Sequence, residues 1–302
     1  MLKRTITGFF ILLFTAGFIA LREVSIYFFD AFALILIYGS IVEMTLACKF
    51  SNKKVEKVIL FLYPAGLACI YIFSTSLVMS LLLQLSLALL CFVVLMAKEL
   101  IVNAIIRKNG DTISDEVELN KSLLQETRNT MDIILYPTTL LGFLIGINHF
   151  GLNLGYVGII LTFAITMFTD VFAYLFGVML KGPKMAPEIS PKKSVSGMIF
   201  GALGGMLASG LAYLAFVHYG LLGSNFAQLS TGEGIALFVL LGVVGTFLTQ
   251  FGDLVASAYK RKVGIKDFGA IFPGHGGFMD RVDGLMFTGT LVYTLFALFL
   301  LI

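Results

Sequence analysis

The sequence carries little charge and contains no tryptophan. Only 13% of its 302 residues are Asp, Glu, Lys or Arg, whereas 58% are hydrophobic, and the mean hydropathy is +0.96. Soluble domains carry about 25% charged residues, which keep their surfaces in water. This composition therefore excludes an ordinary soluble domain.

Cysteine is also scarce. Cys48, Cys69 and Cys91 are odd in number and lie in or beside apolar runs. No spacing that is typical of metal ligands connects them. We therefore predict three buried free thiols and no cysteine metal site.

The alternation of apolar and polar residues that marks the strands of a membrane β-barrel is absent. Instead, apolar runs of 17 or more residues recur along the chain. As helices, such runs cross a hydrocarbon core of roughly 30 Å at about 1.5 Å per residue. The sequence thus predicts an all-α, polytopic membrane helical bundle. Its nine spans are expected at about 5–21, 26–47, 58–74, 77–97, 132–149, 153–179, 195–218, 234–256 and 284–302.

Lysine and arginine occur in alternate loops, with Arg22 as the one exception among 21 cations. Cytoplasmic loops of membrane proteins are enriched in these residues. The pattern therefore predicts a cytoplasmic N-terminus and, after nine spans, a C-terminus outside. The cationic regions are the N-terminus and residues 49–57, 98–128, 181–193 and 260–281.

The polarity of the spans divides the chain into two regions. Residues 1–131 hold four spans with few polar groups and a cytoplasmic connector, and we expect Asp30 and Glu43 to reach the membrane interface from the second span. Residues 132–302 hold five spans and form the predicted catalytic region. The candidate site loops of this second region are 181–194 and 257–283.

Asp170 is the first candidate functional residue, because it lies inside the sixth span. A carboxylate there costs several kcal/mol unless it faces a wet cavity or a partner. Tyr174 follows four residues later and so shares its helix face. We interpret Asp170 as functional, and the alternative is a helix-packing hydrogen bond or an ion pair.

The loop K-G-P-K-M-A-P-E-I-S-P-K-K-S at 181–194 is the second candidate. Its prolines predict extended backbone around Ser190, and Ser194 can cap the following helix, whose N-terminus favours an anion. Lys192 and Lys193 could bind phosphate or serve only as a topology signal. Both roles can hold together.

The third candidate joins the end of the eighth span to residues 257–283. Asp253 and Ser257 share one helix face, as do Asp280 and Asp283. Carboxylates suit Mg²⁺, which takes one or two of them and completes its shell with phosphates and water. We predict a metal site at Asp253 and Asp280, and the alternative for both is simple pairing with nearby lysines and arginines.

Glycines and cations lie between these aspartates. The run Pro273-Gly274-His275-Gly276-Gly277 provides backbone that can approach a phosphate closely. His275 could donate to a phosphate or only brace the glycine loop. With the predicted topology, all three candidates converge at the cytoplasmic leaflet. The cations that can neutralise a triphosphate are Lys260, Arg261, Lys266 and Arg281.

These residues resemble the signature of the CDP-diacylglycerol synthase family, the phosphatidate cytidylyltransferases, S-x-x-K-R-x-x-x-x-K-D followed by P-x-H-G-G-x-x-D-R-x-D. The S-P-K-K of residues 190–193 and the D-x-x-A-Y from Asp170 to Tyr174 also look like the family pattern. The resemblance covers about 165–285, and the N-terminal half matches in hydropathy alone. The matching signature positions are Ser257, Lys260, Arg261, Lys266, Asp267, Pro273, His275, Gly276, Gly277, Asp280, Arg281 and Asp283.

The resemblance implies an enzyme that converts CTP and phosphatidic acid into CDP-diacylglycerol and pyrophosphate, with Mg²⁺ and with or without a second cation. It implies that the protein lies in the bacterial inner membrane with its active site facing the cytoplasm. It also implies membrane lipid and a second copy of the chain as partners, and no nucleic-acid partner. The implied metal ligands are Asp253 and Asp280. The implied catalytic residues are Asp253, Asp280, Lys260, Lys266 and Arg281, and the substrate-binding residues are Asp170, Tyr174, Ser190, Lys192, Lys193, Ser257, Arg261, Asp267, His275, Gly276, Gly277 and Asp283.

Two positions depart from the family pattern. Ala256 and Ser196 stand where the family usually has glutamate. A paralogue that binds without turnover is therefore one alternative. A CTP-dependent polyprenol or phytol kinase and a transporter that uses Asp170 on an ion path are the others.

Overall fold

The computed structural model describes residues 2–49, 54–74, 76–109, 113–222 and 230–301. Within them the chain is an all-α bundle, as predicted, because an α-helix satisfies its backbone hydrogen bonds internally in hydrocarbon. The helices are α1 (Leu2–Leu21), α2 (Ile26–Ala47), α3 (Lys54–Phe73), α4 (Leu77–Asn109), α5 (Ile113–Ile133), α6 (Leu140–Asn148), α7 (Leu152–Leu180), α8 (Val195–His218), α9 (Thr231–Lys262) and α10 (Met279–Leu301), with a π-helical turn (Ile134–Thr139) between α5 and α6.

Eight helical segments of the described residues are long and apolar enough to span a membrane, against nine predicted. The difference is α1, whose apolar part, Ile6–Leu21, is shorter than the others. Several helices also extend beyond the predicted runs, since hydropathy marks only the part that lies in hydrocarbon. Thus α4 continues to Asn109 and α9 to Lys262. Residue 302, the predicted end of the last span, lies outside the described residues.

The loop at 181–194 contains a two-stranded antiparallel sheet, the one sheet in the part of the chain that the structure describes. Its strands are β1 (Lys184–Ala186) and β2 (Ser190–Ser194). The Ser194 hydroxyl accepts a hydrogen bond from the backbone N–H of Gly197 at 3.1 Å and caps α8. Both the extended backbone around Ser190 and the cap are therefore confirmed.

Helices α9 and α10 approach closely beside the candidate site. The hydroxyls of Thr249 and Thr288 are hydrogen-bonded at 2.6 Å, a contact that ties helices together inside a bilayer. A Cβ on Gly252 would lie 2.3 Å from the backbone oxygen of Asp283, so only glycine permits this distance. The close approach brings Asp253, the next residue of α9, beside the first turns of α10.

Asp30 and Glu43 are buried, at 3% exposure each, so neither carboxylate extends into solvent as snorkelling at the interface would require. The Asp30 carboxylate accepts a hydrogen bond from the Asn148 side chain at 2.9 Å and lies 2.9 Å from Nε2 of His149. Glu43 accepts bonds from the start of α10. Partners that are distant in sequence satisfy both carboxylates, which is the usual condition for charge inside a membrane protein.

The three cysteines are free thiols, as predicted. Cys91 is buried, but Cys48 is half-buried and Cys69 is exposed, so the prediction of burial is wrong for these two. Apolar sequence faces either lipid or protein in a membrane bundle, and hydropathy does not distinguish them. Burial raises the pKa of the Cys48 thiol, which lies 3.0 Å from the Tyr259 hydroxyl.

The beginning of the chain lies beside the 257–283 segment. A Cβ on Gly8 would lie 3.5 Å from Nε2 of His275, so the start of α1 contacts this loop. The N-terminal end and the candidate site therefore occupy one side of the bundle, although which side faces the cytoplasm stays a prediction. The division at residue 131 also stays a prediction, and the hydrophobic core includes residues from both regions.

Candidate active site

The ion pair between Lys193 and Asp253 joins two of the three predicted candidates. Nζ of Lys193 lies 2.6 Å from Oδ2 of Asp253 and donates to the backbone oxygen of Gln250 at 3.2 Å. Arg261 makes a further link, because its Nε donates to the backbone oxygen of Ile189 at 3.4 Å. The β1–β2 hairpin is thereby held against the end of α9.

Asp280 is anchored by three hydrogen bonds. Its Oδ1 accepts from Nζ of Lys260 at 2.7 Å, and its Oδ2 accepts from the backbone N–H groups of Phe268 at 2.8 Å and Gly277 at 3.0 Å. Only 4% of the Asp280 side chain is exposed. Both of its oxygens thus have partners, whereas 38% of the Asp253 side chain is exposed.

Three carboxylates form the charged centre of the site. Asp170, Asp253 and Asp283 interact electrostatically with one another, and Lys193 and Arg281 oppose their charge. Asp170 is exposed. Among the residues that the structure describes, none makes a hydrogen bond or an ion pair with the Asp170 carboxylate. The packing alternative for Asp170 therefore has no contact to support it among the described residues.

The glycine segment between the aspartates forms a tight turn. The backbone N–H of Phe272 donates to the oxygen of Gly276 at 2.9 Å, and that of His275 donates to Phe272 at 2.8 Å. Gly276 has φ +79°, and a Cβ there would lie 2.6 Å from Oδ2 of Asp280. The glycine is therefore required by the turn and by the Asp280 carboxylate together.

Burial separates the remaining candidates into accessible and enclosed side chains. Ser257 and Lys260 are buried, and Nζ of Lys260 donates to the Asp280 carboxylate. Ser190 and His275 are partly buried. The side chains that are open to a ligand are those of Tyr174, Lys192, Arg261, Lys266, Asp267 and Arg281.

Sequence reasoning missed Glu43 of α2. Its Oε1 accepts from the backbone N–H of Phe278 and its Oε2 from that of Met279, each at 2.9 Å. The N–H groups at a helix start have no intrahelical partner and attract negative charge, so Glu43 caps α10 from a distant helix. The available signal was a glutamate inside an apolar run, because such a carboxylate needs a partner.

The two departures from the family pattern lie in packed surroundings. Ala256 is fully buried. The Ser196 hydroxyl accepts from the backbone N–H of Gly182 at 3.3 Å and lies 3.0 Å from the Ser194 hydroxyl. Ser196 therefore braces the base of the hairpin that carries Lys193.

A family sequence model and individual relatives both indicate similarity to cytidylyltransferases. Residues 2–299 match the sequence model of the Cytidylyltransferase family. The chain is 40% identical over 145 residues to a phosphatidate cytidylyltransferase of Brucella abortus biovar 1 (strain 9-941), which covers 48% of each protein. It is 39% identical over 131 residues to a phosphatidate cytidylyltransferase of Staphylococcus aureus (strain COL), covering 43% of this chain and 45% of that protein. These matches span about half the length of the curated relatives.

Proposed function

Because this chain belongs to the cytidylyltransferase family, we propose that it is a membrane-embedded phosphatidate cytidylyltransferase, which converts CTP and phosphatidic acid into CDP-diacylglycerol and pyrophosphate. Two relatives of that name support the activity. The observation that carries the proposal is the 2.6 Å pair of Lys193 and Asp253. It brings the S-P-K-K hairpin to the helix that leads into the 257–283 signature, so cations and carboxylates of separate motifs share one site.

The reaction is a nucleotidyl transfer. An oxygen of the lipid phosphate attacks the α-phosphorus of CTP and forms a new P–O bond. The bond from the α-phosphorus to the bridging oxygen breaks, and pyrophosphate leaves with that electron pair. A phosphate monoester has a second pKa of about 6 and is largely ionised at neutral pH, so no strong general base is needed. Catalysis then comes from positioning and charge neutralisation.

The cations of the site neutralise the phosphates in this proposal. Lys192, Lys266 and Arg281 are exposed and can reach a bound phosphate. Lys260 is buried, and its 2.7 Å bond to Asp280 suits it to hold that carboxylate in place. We therefore assign substrate contact to the three exposed cations and to the partly exposed Lys193 beside Asp253, and positioning to Lys260.

Mg²⁺ is part of the proposal. Asp253 fits the role of ligand, since its carboxylate is partly exposed and interacts with Asp170 and Asp283. Asp280 fits less well, because both of its oxygens are engaged and Lys260 would have to move. The ion would supply positive charge that is shared between carboxylates and phosphate oxygens.

The proposed site faces the cytoplasm of a bacterial inner membrane, with the N-terminus on the same side and the C-terminus outside. The alternation of cationic loops and the contact of Gly8 with His275 support this orientation. Tyr174 is 70% exposed beside Asp170, and we place the lateral entry of the acyl chains there. The homodimer that the resemblance implies belongs to the same proposal and is tested by the mass of the detergent-solubilised protein.

An assay with CTP labelled at either the α- or the γ-phosphorus tests the function. The purified protein is incubated with phosphatidic acid or with a polyprenol, with Mg²⁺ or with EDTA. We expect Mg²⁺-dependent transfer of the α-label to lipid and release of the γ-label as pyrophosphate. Transfer of the γ-label to a lipid alcohol would instead show a kinase. A folded protein that transfers neither label would contradict the proposal.

A further inference from the structure

The carboxylate of Glu43 lies at the start of α10, more than two hundred residues away in the chain. It accepts two backbone hydrogen bonds at 2.9 Å, from Phe278 and Met279, and it is 3% exposed. Within the described ranges no lysine or arginine forms an ion pair with it. Its negative charge is therefore stabilised by the N-terminus of α10.

The surroundings of Glu43 accommodate the carboxylate closely. A Cβ on Gly277 would lie 2.1 Å from Oε1, and one on Gly269 would lie 2.2 Å from the same atom. On the preceding turn of α2, a Cβ on Gly39 would lie 2.6 Å from the Phe278 ring. Glycines on both sides thus let α2 and the 269–278 segment meet around this side chain.

The residues that follow the cap belong to the candidate site. Met279 begins α10, and Asp280, Arg281 and Asp283 occupy its first turns. The N–H of Gly277 donates to Asp280, so consecutive N–H groups are divided between the two carboxylates. The position of Glu43 therefore fixes where the first turn of α10 begins and which way its side chains point.

We propose that Glu43 is a positioning residue for nucleotidyl transfer, acting through the first turn of α10, an inference that rests on the proposed function. A bare helix N-terminus binds anions, including phosphate. By occupying it, Glu43 leaves the exposed cations, such as Arg281, to receive the phosphates. The N-terminal half of the chain thereby contributes to a site whose signature lies entirely in the C-terminal half.

The substitution Glu43→Gln tests the inference, because it keeps the size of the side chain. The amide retains one acceptor and points an N–H group at the second backbone N–H. Glu43→Asp keeps the charge on a shorter side chain. The matched control is Glu56→Gln, which changes another buried glutamate, paired with Lys98 between α3 and α4.

The measurements are kcat, KM for each substrate, the unfolding temperature and hydrogen exchange of the amides in 278–283. In Glu43→Gln we expect kcat to fall about 10- to 100-fold, with both KM values within about threefold, because positioning is lost and binding groups remain. The amides of 278 and 279 should exchange faster. Glu43→Asp should recover part of kcat. Glu56→Gln should lower the unfolding temperature and leave kcat and this exchange unchanged.

The outcomes separate the inference from the function on which it rests. Unchanged kcat or unchanged exchange in Glu43→Gln would overturn the inference. Equal losses of kcat in Glu43→Gln and Glu56→Gln would also overturn it, since they would show a general effect of stability. A wild type that makes no CDP-lipid would overturn the proposed function, while faster exchange in Glu43→Gln alone would still support the ordering of α10 by Glu43.

Discussion

The ammonium of Lys193 lies 2.6 Å from Oδ2 of Asp253, and the two side chains are 20% and 38% exposed. Ion pairs that water reaches contribute only about 0–1 kcal/mol to stability. The pair therefore does little to hold the fold. Its consequence is local, because it places a cation of the hairpin beside the partly exposed carboxylate of Asp253.

Replacing Lys193 by methionine should weaken substrate binding more than folding. We expect KM for CTP to rise about 10-fold, since one charge-assisted contact to phosphate is lost. The unfolding temperature should stay within about 2 °C. Lys184→Met, an exposed lysine of β1, is the control and should leave KM unchanged. Equal KM values in the two variants would contradict the role of Lys193.

Asp280→Asn and Asp253→Asn should differ in stability. Removing one partner of a buried ion pair costs about 3–5 kcal/mol, and Asp280 is buried against Lys260 with two further backbone bonds. Asp253 is partly exposed, so its substitution should cost about 1 kcal/mol or less. Thermal unfolding in detergent measures both. An Asp280→Asn protein as stable as Asp253→Asn would show that Asp280 has no anchoring role.

Gly276→Ala should reduce turnover more than Gly264→Ala. Both glycines have positive φ, +79° and +76°, so alanine costs roughly 1–2 kcal/mol at either position. At Gly276 the new Cβ would also lie 2.6 Å from Oδ2 of Asp280, whereas at Gly264 no atom lies within 4 Å. Steady-state turnover at matched protein stability checks this prediction. Similar turnover in the two variants would contradict it.

Ser194→Ala should affect both stability and CTP binding, because Ser194 caps α8 and follows Lys193 directly. Loss of a serine cap costs about 1 kcal/mol. Ser230→Ala serves as the control, because it removes the N-terminal cap of α9, at the end of that helix opposite to Asp253. We expect similar losses of unfolding temperature in the two variants and a raised KM for CTP in Ser194→Ala alone. A raised KM in both would indicate a general loss of order.

Local features of the structure could be predicted from the sequence. Apolar runs mark helices because hydrocarbon requires internally bonded backbone. Ser194 is recognisable as a cap from its place between the lysines and an apolar run. The combination of cations, carboxylates and a glycine run at 257–283 identifies the site segment, since the other strongly charged segment, 98–128, contains a single glycine.

Partners that are distant in sequence could not be predicted in this way. Glu43 meets Met279 across 236 positions, and no pattern in the α2 run indicates that contact. The sequence allows Asp280 to pair with a nearby cation but does not select Lys260, and the backbone bonds from Phe268 and Gly277 depend on the loop conformation. The location of the site thus follows from composition, whereas the accessibility of each carboxylate follows from packing.

Transfer of α-labelled phosphorus from CTP to phosphatidic acid by the wild type and by Asp253→Asn tests the central claim most directly. With Mg²⁺, the wild type should form labelled CDP-lipid. Asp253→Asn should form at least about 100-fold less at an unchanged unfolding temperature, since a carboxylate at the charged centre is lost. Absence of label in a folded wild type, or Asp253→Asn turnover within about threefold of the wild type, would contradict the account.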